Sequence, residues 1–370
     1  MIRRIYVDNY KCLVNFECKF QHLNLILGTN GSGKSTVFDA LRDVRDFVNG
    51  KSPIGIFRDA TLTRWQKRGL QTFEIEVEGN EGLYQYHLEV EHENGQDRQR
   101  VRTESVAYNG RTLYEAELDE VHLFRDDYSA GPTYPKDWTQ SGLLFLGERH
   151  DNTLVTWLKK WFKEKLFCLQ LDPMNMKPMA GATESDLDAN ALNFVGWYRH
   201  RISTDMSATI DLYNALKQMY DEFEGLKLER QGGDVQHLFA TIGVQDEEKG
   251  KPINAKYSFA DLSDGERCLV VLYTLLQLAS DPEITLCLDE PDNYVALSEV
   301  QPWLMTLENR INENGSQALL ISHHPEILDY LAEMSGLVFS RPSNAHTRVA
   351  AYAADASGLL PSEVATRGDL

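Results

Sequence analysis

The chain has 370 residues, 42% of them hydrophobic and 25% charged, an ordinary globular composition with material for one large domain or two lobes. Acids number 56 against 37 bases, and the formal charge of −19 repels a nucleic-acid backbone at long range, so any such contact needs a local basic patch. A basic partner protein suits that charge equally. The cysteines, Cys12, Cys18, Cys168, Cys268 and Cys287, include no C-x-x-C pair and read as buried thiols of a reducing compartment, which excludes a disulfide framework or a cysteine metal site. The N-terminal stretch has no signal-peptide h-region, and the longest apolar run, Cys268–Ala279, is too short to span a bilayer. The expected location is cytoplasmic, with no membrane partner.

In chain order, HLNLILG (His22–Gly28) is a Leu/Ile-rich strand that runs into GTNGSGKST and then into a helix with the stripe Val37, Phe38, Leu41, Val44, Phe47 and Val48. Thr72–Glu78 and Leu83–Glu93 flank a short Gly-Asn-Glu-Gly link, and two further strands flank Asn109-Gly110, a pair suited to a tight hairpin. Antiparallel strands are expected from about Thr72 to Ala116. The middle then turns helical, with amphipathic stretches at Asn152–Lys165 and Met206–Phe223 and loops at ERQGGD and QDEEKGKP. The last third returns to α/β. It offers a helix after Gly265, a strand Glu283–Glu290, a helix near Val300–Asn312, a strand Gln317–His324, a helix from Pro325 and a strand near Thr347–Ala353. The two α/β ends are expected to share one sheet, with the β and helical middle inserted. No internal repeat and no heptad run for a coiled-coil arm stands out.

Gly28–Ser35 fits G-x-x-x-x-G-K-[ST]. Its glycines let consecutive N–H groups of Asn30, Gly31, Ser32, Gly33 and their neighbours through Thr36 face a phosphate. Lys34 then reaches the β- and γ-phosphates, and the Ser35 hydroxyl ligates Mg²⁺. ITLCLDE is an apolar strand ending in two carboxylates. Asp289 is assigned to the metal and Glu290 to the attacking water. ALLISHHPEIL ends a second strand at His323 and His324. A histidine there can donate to a γ-phosphate, and the two face opposite ways, which leaves the choice open. A helix beginning at Ser263, Asp264 and Gly265 points free N–H groups outward. DLDAN (Asp186–Asn190) is a spare acidic cluster in a polar stretch that reads as a solvated loop.

A phosphate loop, an Asp-Gly helix start, an Asp-Glu strand end and a strand-end histidine, in that order, resemble the ABC-type ATPases. The resemblance implies an α/β ABC-type P-loop ATPase head with a mixed sheet, plus an inserted antiparallel β and helical lobe. Segments 1–57 and 253–370 would form the core, 58–150 the β lobe and 151–252 the helical insert. LSDGE looks like the signature motif, departing from the commoner L-S-G-G-Q at Asp264 and Glu266. The resemblance carries Ser263 and Gly265 as γ-phosphate contacts, Asp289 as the Walker B acid, Glu290 as the catalytic base and His323 as the switch histidine. Asp292 becomes a subunit-contact candidate. Gln170, after the strand-like LFCLQ, is the candidate Q-loop and metal-site glutamine, with Gln66 and Gln140 as rivals. In this family two heads pair head-to-tail, so the free N–H groups of the signature helix would cap ATP held by a second copy.

The motifs resemble the RecF/OLD/SMC-like branch rather than transporter subunits. Long SMC arms are absent, and the stretch after His324 is too short for an OLD nuclease domain, so cutting is expected to reside on another chain. Stand-alone ATPases of this shape resemble those of bacterial two-component defence, including anti-phage defence, or toxin-control systems, where a partner effector acts. The expected activity is ATP hydrolysis with Mg²⁺. The alternatives are a recombination or repair ATPase of RecF type, or a nucleotide-dependent scaffold with negligible hydrolysis. The basic stretches Thr63–Gly69, Asp97–Arg102 and Trp157–Lys165 suit nucleic acid and equally suit amphipathic surfaces that keep Lys and Arg wet.

Overall fold

The computed structural model describes the chain except residues 94–97, 118, 205–206, 220–221, 246–251, 279–280, 355–357 and 369–370. At its centre is a six-stranded sheet, ordered Leu166–Leu169, Thr285–Asp289, Gln317–Ile321, Leu23–Leu27, Gly336–Ser340, Arg348–Ala351. The first five strands run parallel and the last antiparallel. Every residue of Thr285–Asp289 and of Gln317–Ile321 is buried. Alternate residues feed two cores. Ile26, Cys287, Leu319 and Ile321 pack towards the helix Lys34–Val48, while Leu25, Leu286, Leu288 and Leu320 pack towards the helices Asp264–Leu278, Leu297–Asn314 and Pro325–Ser335. Cover on both faces is why these strands read as unbroken apolar runs.

An eight-stranded antiparallel sheet completes the first core. Its order is Phe16–Lys19, Ile2–Asp8, Leu70–Gly79, Gly82–Glu93, Arg98–Tyr108, Arg111–Glu117, Glu120–Phe124, Ala130–Pro135. Alternation along Leu70–Gly79 turns Phe73, Ile75 and Val77 inward to meet Val37, Phe47 and their neighbours on the helix. A smaller third sheet joins Met179–Ala180, Val235–Gln245 and Phe223–Gly232, with Pro252–Ser258 paired to the second of these. All five cysteines are free and buried. Among the described residues no helix is long and apolar enough to cross a membrane.

The α/β architecture with a mixed sheet agrees with expectation, but the sheets cut across the expected segments. Ile2–Asp8 and Phe16–Lys19 lie in the antiparallel sheet rather than the core sheet. Leu166–Leu169, inside the expected helical insert, is an edge strand of the core sheet, and much of 223–258 is antiparallel β. ERQGGD is the turn end of the hairpin formed by Phe223–Gly232 and Val235–Gln245. Most of QDEEKGKP lies outside the described residues. The helix expected over Met206–Phe223 spans Ser207–Met219.

Candidate functional site

The C-terminal ends of three parallel strands meet in one row, with Asp289 level with Ile321 and Ile321 level with Ile26. In open α/β sheets ligands settle at such strand ends. From Leu27 the chain passes through Gly28–Gly33 into the helix that begins at Lys34. Gly33 caps that helix at φ 101°, and a Cβ there would collide with Thr347 and Cys12, so only glycine fits. No acid occupies the helix's first turn, which leaves its N–H groups for an anion. Lys34 is buried, and its Nζ donates to the carbonyls of Gly28 (2.6 Å) and Thr29 (3.2 Å). Burial depresses its pKa, against the pull of Glu290 and Asp289.

Burial pushes the Asp289 carboxyl up, opposed by a hydrogen bond from the Ser35 hydroxyl. Glu290 follows in the left-handed region at φ 49°, a strained conformation for a side chain of its kind. Two contacts hold it there: its N–H donates to the Ile321 carbonyl at 2.8 Å, and Asn293 Nδ2 donates to its Oε2 at 2.7 Å. Its Oε1 lies 3.9 Å from His323 Nε2. Burial and Lys34 lower the His323 pKa, while Glu290 and Asp292 act against them. The neighbouring His324 does something else. Its Nδ1 accepts from the Glu326 N–H at 3.2 Å and so caps the helix Pro325–Ser335. Asp292 is half-buried, hydrogen-bonded by the Ser322 hydroxyl.

A cavity of about 490 Å³ opens at these strand ends. Asn30, Gly31, Gly33, Lys34, Ser35 and Thr36 line it, and Glu290 closes one side. Ser32 is not on its wall; the side chain is buried and its carbonyl accepts from Thr347 Oγ1 at 2.9 Å. Sequence reasoning missed the rest of the lining, which includes Lys11, Cys12, Leu62, Arg64, Trp65 and Arg341. Trp65 is 47% exposed, donates from Nε1 to His346 Nδ1 at 3.3 Å, and has the Arg341 guanidinium over its ring. Arg341 Nη1 also donates to the Gly31 carbonyl at 3.1 Å. Asn9 fixes the segment that carries Trp65. Its Oδ1 accepts from Thr63 N (3.3 Å), and its Nδ2 donates to the carbonyls of Arg68 and Leu70. The Thr63–Gly69 stretch is basic and aromatic in sequence, but no spacing ties it to the phosphate loop. A ring face flanked by cations can take a base and its phosphates.

Ser263 and Gly265 lie away from this cavity, at the start of the helix Asp264–Leu278. The Ser263 N–H and hydroxyl both donate to Glu266 Oε2 at 2.7 Å, and the Glu266 N–H returns to Ser263 Oγ at 3.3 Å. This is a capping box, a role that glutamate fills here and that glutamine can also fill. Gly265 is required by close approach, since a Cβ would stand 2.7 Å from the Tyr294 carbonyl oxygen. Gln170 follows the edge strand, whose Leu169 is level with Leu288, and so sits in the same row of strand ends as Asp289. It does not line the cavity, and its N–H donates to the Ala189 carbonyl at 2.7 Å. Of its rivals, Gln66 is beside Trp65 and accepts from Arg68, while Gln140 lies in a turn after Asp137. Among the described residues no cluster of three His, Cys, Asp or Glu could hold a metal. Ser35 and Asp289 offer hard oxygens only, a set that fits Mg²⁺ when phosphates complete its shell.

A phosphate loop and an acidic strand end on a parallel sheet, backed by an antiparallel sheet, make up the architecture of an ATPase head. The chain is similar to an Smc head bound to the C-winged helix domain of ScpA, with a TM-score of 0.59 and 14% identity, covering 95% of this chain and 98% of that one. It is also similar to the Smc head domain with an extended coiled coil bound to the C-terminal domain of ScpA derived from Pyrococcus furiosus, with a TM-score of 0.55 and 12% identity, covering 95% and 96%. The chain belongs to the AAA domain family AAA_23, which it matches over residues 4–237. No protein of curated function matches it.

Proposed function

We propose that this chain binds ATP with Mg²⁺, pairs head-to-tail with a second copy, hydrolyses the γ-phosphate and passes the resulting change of shape to a partner effector. One observation carries the reading: Glu290 and His323 lie 3.9 Å apart just past the strand ends, beside the helix start that carries Lys34 and the Ser35 bonded to Asp289. Lys34 exchanges the Gly28 and Thr29 carbonyls for the β- and γ-phosphates, and the N–H groups from Asn30 to Thr36 surround them. Ser35 and Asp289 would hold Mg²⁺, with Gln170 beside them, and the ion when bound neutralises charge across the β- and γ-oxygens. Glu290 takes the proton of the attacking water and His323 donates to the γ-phosphate. Trp65 stacks on the base. Ser263 and Gly265, outside their own cavity, contact the γ-phosphate on the second copy. The resemblance to stand-alone ATPases supports a place in bacterial two-component defence. The two Smc heads in complex with ScpA support pairing of such a head with a separate protein.

Glu290→Gln tests the reading. The amide keeps the shape of the carboxylate and cannot take a proton. ATP binding is expected to survive while turnover falls by roughly 10²- to 10⁴-fold, and light scattering should find a doubled mass in ATP alone. Undiminished turnover would remove Glu290 as the base. A mass indifferent to ATP would remove the head-to-tail pair.

A further inference from the structure

The phosphate-loop helix has a second cavity at its far end, about 500 Å³ in volume, between its last turns and the segment 183–193. Arg45 lines this cavity. It is only 5% exposed, and among the described residues its Nε has no hydrogen-bond partner and no ion pair reaches it. The other bases nearby are matched, Arg42 with Asp39 and Lys51 with Asp46 at 2.6 Å. Also lining the cavity, the exposed Asp186 and Asp188 pair with no base among the described residues. They are held in place by the buried Asn193, whose Nδ2 donates to the Asp186 carbonyl at 2.9 Å and whose Oδ1 accepts from the Asp188 N–H at 2.9 Å. A cation taken from water without a counterion is unfavourable, and a built cavity in front of it shows where the counterion belongs.

We propose that this cavity binds a small zwitterion of the amino-acid class, with its carboxylate on Arg45 and its ammonium on Asp186 or Asp188. A guanidinium meets a carboxylate through parallel N–H donors. One unmatched base facing a rim of acids repels a polyanion such as a nucleotide and draws a ligand with a positive end. The volume accommodates the largest amino acids. Arginine and lysine, whose second cation meets the second rim acid, bind most tightly.

The test is calorimetric titration and thermal shift of the full chain, with the standard L-amino acids as probes and inorganic phosphate and AMP in parallel. Arginine or lysine is expected to bind with a Kd on the order of 0.1–1 mM. Its amide or N-acetyl derivative, lacking one charge, should bind roughly 10- to 100-fold more weakly. Arg45→Met should abolish this binding, keep ATP affinity, and raise the melting temperature of the ligand-free protein. Should Arg45→Met fail to fold, the exposed double substitution Asp186→Asn, Asp188→Asn must itself lose the binding. The proposal fails if no amino acid binds the folded protein, if phosphate or AMP binds in preference, or if binding is indifferent to these substitutions.

Discussion

Trp65 and Asp43 each decide a measurable property by a single side chain. In the proposed reading Trp65 is the platform for the base, and stacking on an aromatic ring contributes about 1–3 kcal/mol. Trp65→Ala should therefore weaken ATP and ADP alike by roughly 5- to 150-fold, and Trp65→Phe should recover most of the loss. Titration with a fluorescent nucleotide decides it, and unchanged affinity would place the base elsewhere. Asp43 sits in the phosphate-loop helix and accepts from the Tyr10 hydroxyl at 2.6 Å. Burial lifts its carboxyl from 3.8 to about 6. A carboxyl raised on folding contributes stability that is complete below pH 3.8 and lost as the pH climbs through about 6. Asp43→Asn keeps an acceptor for Tyr10 and cannot ionise. It should exceed the parent in stability by about 2–3 kcal/mol above pH 7 and lose that advantage near pH 4. Urea melts across this range provide the check, and a pH-independent difference would contradict the account.

At the level of elements, Gly265 sets two rules against each other. Helix propensity favours alanine over glycine by about 1 kcal/mol, whereas the Tyr294 carbonyl leaves no room for a Cβ. Crowding of this kind costs about 1–3 kcal/mol, so packing wins. Gly265→Ala should lower the melting temperature and part the 292–296 segment from the helix start, and a stabilised variant would show that the segment yields freely. The same contest between local and distant causes governs what could be read from the sequence. The loop GTNGSGKST and the strand end at Asp289 were legible as local structure, because each is written in neighbouring residues in a fixed order. His324 was legible in principle, since it stands just before Pro325-Glu326, where an N-cap belongs. Leu166–Leu169 was not placed in the core sheet, because four buried residues carry no period. Trp65 and Arg341 escaped notice as a pair because only the folded chain brings them together.

For the whole molecule, the head-to-tail pair of the proposed function would divide each site between two copies. Ser263→Arg and Lys34→Ala should each be inactive alone, the first still binding ATP and the second not. Mixed in equal amounts and allowed to exchange, half the pairs are hybrid and each hybrid holds one intact composite site. Phosphate release should recover to about a quarter of the parent's rate. No recovery, with hybrid pairs demonstrated, would contradict action in trans.

The order of strands in the central sheet also sets a timetable for synthesis. Leu23–Leu27 lies between Gln317–Ile321 and Gly336–Ser340, and Leu23 pairs with Ala318. The hairpins from Leu70 to Phe124 find their neighbours within a short stretch and can close while the ribosome is still translating. The central strand cannot: both its sides stay bare until Gln317–Ile321 and Gly336–Ser340 have emerged. Contacts this distant in sequence make folding slow, and a bare apolar edge invites aggregation. The nascent chain is thus expected to need chaperone cover of Leu23–Leu27, and the strand ends around Gly28 and Asp289 come into one row only once Gln317–Ile321 has arrived between them.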